Sequence, residues 1–87
     1  MIDLEKLNAG LQNLRGLDFE EAEAAERAAG NNFPMISFSA SFQARLAAKA
    51  LEINVHDLKS MPLKDYDAAT RVVFGFLFNA DSGNETA

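Results

Sequence analysis

The sequence predicts an all-α protein, a small bundle of four to five short helices, with a short strand near residues 35–42 as the alternative to helix there. Three observations carry this. Leucines at positions 4, 7, 11 and 14 recur at the three-and-four spacing of one helical face. Residues 18–30 combine a helix-start pattern, an Ala/Glu-rich run and a closing glycine. The segment from Leu63 onward carries apolar side chains at helical spacing up to Phe78.

Taken in order, the leucine segment is a helix weakened by Gly10 and Gly16, because glycine costs helix stability. Asp18 then reads as a cap, with Glu21 three residues on completing a capping box. The acids of the first turn suit the positive end of the helix dipole. Gly30 is placed to end this helix in a left-handed conformation, and Asn31-Asn32-Phe33-Pro34 reads as a turn or loop.

Between residues 36 and 42 apolar residues alternate with Ser37, Ser39 and Ser41, a strand pattern, yet Phe38, Phe42 and Leu46 also fit a helix. The Ala-rich continuation favours a helix over 39–51, capped by Ser37 or Ser39. Asn54 is expected to cap a short helix over 55–60. Pro62 is suited to the first position of a final helix reaching Asn79. Residues 1–79 make one domain, and the polar, aperiodic tail 80–87 is expected to be disordered.

Composition narrows function. With 87 residues, the chain buries only about 60–65% of its unfolded surface. It has no cysteine, so neither disulfides nor thiolate metal sites arise. Its net charge is −5, and there is no basic stripe with interleaved aromatics, which argues against nucleic-acid binding. No apolar stretch approaches the roughly 20 residues that span a bilayer, and the first residues lack a signal-peptide pattern, so a cytoplasmic location is expected.

Catalytic and metal signals are thin. His56 lies near Asn54 and Asp57, but there is no second His or Cys and the two neighbours read as helix-start residues. Asp18, Glu20, Glu21, Glu23 and Glu26 spread around a helix rather than wrapping a tight loop, so they read as a solvated face and not a cation site. Ser37, Ser39 and Ser41 lack a G-x-S-x-G elbow, and the five glycines are scattered singly, with no phosphate loop. An enzyme is not expected, nor is any cofactor.

The last helix is more informative. Leu63, Tyr66, Thr70, Val73, Phe74 and Leu77 share a sector of roughly 100° and are the expected core stripe. Val72 and Phe76 project to the far side, beside Ala69, and Phe78 lies off the stripe. Leaving Val72, Phe76 and Phe78 in water would forgo roughly 4–8 kcal/mol. Either other helices sandwich this one, or Val72, Phe76 and Phe78 bind a partner. Both alternatives stay open on the residues alone.

The helix opened by Leu17-Asp18-Phe19-Glu20 and closed at Gly30, the Ala-rich helix, Val55-His56-Asp57-Leu58, Met61-Pro62-Leu63, Asp65-Tyr66 and the ending Val72-Val73-Phe74-Gly75-Phe76-Leu77 form an order of motifs. Over residues 17–78 this order resembles the small tail assembly chaperones of long-tailed bacteriophages and prophages. The leucine segment before it departs from the β-rich start of many of those proteins. The resemblance implies a non-enzymatic chaperone in the bacterial host cytoplasm that coats the tape-measure protein and helps tail-tube subunits polymerise. It implies self-association into a homo-oligomer and, in many phages, a frameshifted longer form. A small helical adaptor that modulates a host protein by direct binding is the alternative.

Overall fold

A computed structural model describes residues 2–78 as five α-helices and one 3-10 turn: α1 (Leu4–Asn13), α2 (Gly16–Ala28), the turn Ile36–Phe38, α3 (Ala40–Leu51), α4 (Val55–Lys59) and α5 (Leu63–Phe78). Asn79 and the expected tail 80–87 lie outside the described residues.

The helix ends follow local chemistry. Asp3 caps α1 by accepting the Lys6 N–H at 3.0 Å. Gly30 takes φ +97° after α2, and Asn31 N–H reaches back to the Glu26 carbonyl at 2.9 Å, the closure a left-handed residue permits. Ser39 caps α3, its Oγ accepting the Phe42 N–H. Asn54 caps α4, with Oδ1 accepting the His56 N–H at 2.7 Å. Pro62 precedes α5, and its carbonyl accepts from Asp65 and Tyr66.

One local expectation is corrected, and one open alternative is decided in favour of the helix expected over 39–51. Helix α2 starts at Gly16, three residues earlier than a cap at Asp18 predicts, so Asp18 occupies the third helical position. From there its Oδ2 accepts the Arg15 N–H at 2.8 Å, while Glu21 turns to Lys49 instead of closing a capping box. Among the described residues no strand forms over 35–42. An alternating pattern makes a strand only with a neighbour to pair with, and Ser39 diverts the chain into a helix instead.

The centre of the bundle is α3, which packs on α1, α2, α4, α5 and the 3-10 turn. Eight of its twelve residues are buried, so it is enclosed nearly all round. Four are alanines (Ala44, Ala47, Ala48, Ala50), small enough for helices to come close on several sides, with Phe42 and Leu46 filling the gaps. The tightest approach is α1 over α3. A Cβ on Gly10 would lie 2.1 Å from the Ala50 carbonyl oxygen, so only glycine fits. Leu7 and Leu11 flank this crossing and are fully buried, whereas Leu4 is exposed.

The face α5 buries is rotated from the stripe expected. Ala69, Thr70 and Val73 are buried, and Tyr66, Val72, Phe76 and Leu77 are partly buried beside them. Leu63, at 79% exposure, and Phe74, at 39%, are not core residues. The reason is Ala69: a methyl group lets α5 settle close to its neighbours, which draws Val72 and Phe76 inward and turns Phe74 out.

Gly10→Ala should therefore destabilise the protein by about 1–3 kcal/mol, although the same change in an open helix stabilises by about 1 kcal/mol. Gly16, where an added Cβ meets nothing within 4 Å, is the control. Gly16→Ala should leave the urea midpoint unchanged or raised. Equal midpoints for the two variants would refute the crossing.

Candidate functional site

Among the described residues, three exposed large apolar side chains, Phe33, Met35 and Phe38, fall close together between α2 and α3. A fourth, Phe74, meets Phe38 from α5. The 3-10 turn packs on α5, and this contact assembles an aromatic cluster. Phe38 stacks on Phe78 with centroids 4.8 Å apart and planes 3° from parallel. Phe74 lies 4.8 Å from Phe78, one helical turn away, and 6.1 Å from Phe38, both tilted. These separations lie in the favourable range for aromatic pairs. The result is a face of rings at the C-terminal end of α5, with Phe38 and Phe74 open to solvent and Phe78 half-buried behind them.

The three residues expected to bind a partner lie in different surroundings. Phe78 belongs to the aromatic face. Phe76 instead lines a shallow groove of about 220 Å³ with Leu11, Leu14, Phe19, Leu46 and Leu77, beside Arg15 and Gly16. Val72 is partly buried against the core. Phe74, which its spacing places in the core, and Phe38, from a distant loop, are the cluster members that sequence reasoning missed. The signal for Phe74 is its place one turn before Phe78; for Phe38 the sequence carries none, because the contact depends on how the 31–39 segment folds back.

The acids of α2 do not form one solvated face either. Glu26 is only 2% exposed. Its carboxylate accepts from Asn31 Nδ2 at 2.7 Å, from Ser41 Oγ at 3.0 Å and from Arg45 Nε. Burial pushes this carboxyl up, but the hydrogen bonds from Asn31, Arg45 and Ser41 and the Arg45 charge outweigh it, and Glu26 is held below its ordinary 4.5. Glu21 and Asp18 meet Lys49 at 2.9 and 3.6 Å, and Glu23 meets Arg27. The Glu21 hydrogen bond holds the Lys49 ammonium above its ordinary value against the opposing effect of burial. Burial likewise pushes the Tyr66 phenol up, with the Glu26 charge adding to the rise. The sequence does carry a signal for Glu26: with Phe19 and Ala22 it completes an inward stripe spaced by three and four.

Chemically the arrangement is suited to holding apolar surface. Among the described residues, no three His, Cys, Asp or Glu side chains gather to hold a metal ion. His56 is exposed, and its backbone serves α4: the N–H donates to Asn54 and the carbonyl accepts from Ser60 Oγ. Ser39 and Ser41 are occupied as a cap and as a donor to Glu26. No helix among the described residues is long and apolar enough to cross a membrane. Comparison of the chain with family models, with curated proteins and with solved structures gave no match in any of the three.

The depressed Glu26 carboxyl fixes a pH dependence. The folded state binds fewer protons at this site than the unfolded chain, so the stabilisation is fully present above about pH 4.5 and is lost as pH falls through the lower folded value. Between about pH 5 and pH 3, wild type should lose more unfolding free energy than Glu26→Gln. Urea titrations at the two pH values measure this, and equal losses would contradict the assignment.

Proposed function

We propose that this protein is a non-enzymatic tail assembly chaperone of a long-tailed phage or prophage. In this reading it holds an apolar helical segment of the tape-measure protein and assists tail-tube assembly. The observation that carries it is the aromatic face on which Phe38 and Phe74 lie open to solvent over the half-buried Phe78. The likeness of residues 17–78 to the small tail chaperones supports the choice of client.

The size of the face favours a segment over a large partner. At about 200 Å² per large apolar side chain, the exposed parts of Phe38 and Phe74, with those of Phe33 and Met35 on the same loop as Phe38, come to about 380 Å². Apolar patches of about 300–600 Å² on small proteins are often functional. A stable protein pair buries about 800 Å² on each side, more than twice this area. One amphipathic helix, laying its apolar side chains on the rings, is the matching occupant. With a net charge of −5, the chain favours a client whose flanks are basic or neutral.

Exposed Phe74 provides a clean test, because its removal opens no core cavity. Phe74→Asp should retain the far-UV helical spectrum and weaken binding of tape-measure fragments about tenfold to a hundredfold, the worth of one aromatic anchor. Phe76→Asp should instead lower the unfolding midpoint, since Phe76 packs against the core. Tape-measure binding unaffected by Phe74→Asp and Phe38→Asp would overturn the docking face. Absence of any binding by wild type would transfer the face to the other reading, a helical adaptor on a host protein.

A further inference from the structure

The aromatic face is built from two elements that do not follow one another in sequence. Phe74 and Phe78 come with α5, but Phe38 arrives on the segment between α2 and α3, which holds only a three-residue 3-10 turn. Something must fix that segment. Ile36 is its buried apolar anchor, while Phe33, Met35 and Phe38 are exposed. Apolar burial alone therefore gives the segment little hold.

Polar contacts supply the hold, and most converge on two residues. Asn31 donates through Nδ2 to Glu26 at 2.7 Å and to Ser39 Oγ at 2.9 Å, while its Oδ1 accepts the Phe33 N–H at 3.0 Å. One carboxamide thus ties the end of α2, the start of α3 and the loop between them. Glu26 itself is held from α3 by Arg45 and Ser41. Arg27 donates to the carbonyls of Asn31 at 3.1 Å and Phe33 at 2.7 Å, and Gln43 Nε2 to that of Ser37 at 2.8 Å.

We infer that Asn31, seated on the buried Glu26 carboxylate, is the positioning residue that holds the 31–39 segment against the bundle and thereby keeps Phe38 stacked on Phe78. The docking face is complete only while this polar latch is closed. The assignment of that face as a binding surface rests on the function proposed above; the latch itself does not.

Amide exchange reads the latch without any client. The Phe38 N–H donates to the Met35 carbonyl and the Ser39 N–H to the Ile36 carbonyl, both at 2.9 Å, so these two protons report the turn. In Asn31→Ala they should exchange about tenfold faster than in wild type, with α1 and α3 amides unchanged. The cross-peaks between the Phe38 and Phe78 rings should vanish from the NMR spectrum at the same time. Ser41→Ala is the control: it removes a hydrogen bond from the same carboxylate but none from the loop. It should leave both reporters at wild-type rates, which a purely structural role for the network would not do. Unchanged reporters in Asn31→Ala, or equal acceleration in both variants, would overturn the latch. Should Asn31→Ala open the turn while tape-measure binding persists, the latch stands and the docking face fails.

Discussion

The bundle depends on how closely helices can approach α3. Its alanines present methyl groups where larger side chains would hold neighbours away, and α1 meets it with Gly10 against the Ala50 backbone. A domain of this size has few residues to spend on a core, so it gains density by bringing backbones together rather than by adding large side chains. Once α1, α2, α4 and α5 are seated on α3, the burial of Leu7, Leu11, Phe42, Leu58 and Val73 follows.

The same economy explains why rings are left outside. A core lined by alanine has no room for seven phenylalanines: Phe42 is enclosed, Phe19 packs edge-on against it at 4.8 Å, and Phe38 and Phe74 find one another at the periphery. Phe19 and Glu26 show how one helix serves two purposes. The inward face of α2 begins in apolar contact and ends in a buried carboxylate whose every partner is polar. Among the described residues no buried side-chain nitrogen or oxygen lacks a hydrogen-bond partner. A buried charge is tolerated under that condition alone.

Features fixed by neighbouring residues are legible in the sequence. The left-handed turn at Gly30, the caps at Ser39 and Asn54 and the break at Pro62 all stand where local chemistry puts them. What depends on distant contacts is not legible. A helical wheel gives the spacing of Tyr66, Thr70 and Val73 but not how far α5 turns toward the side of Ala69, so spacing alone points Phe74 and Leu63 inward and Val72 and Phe76 outward. The stripe of Phe19, Ala22 and Glu26 points the Glu26 carboxylate inward, but its partners Ser41 and Arg45, 15 and 19 residues further along, cannot be read from spacing. Of the candidate site, Phe78 stands out in the sequence, whereas its stacking partner Phe38, far earlier in the chain, does not.

The open rings also bear on how identical molecules behave in concentrated solution. Phe38 and Phe74 keep part of each ring open to solvent, yet every copy carries the same net charge of −5. Repulsion between like-charged bodies acts over about 10 Å at 0.1 M ionic strength, well beyond the contact range of ring against ring. Docking of another copy on the rings has to overcome this repulsion, whereas a basic partner does not meet it.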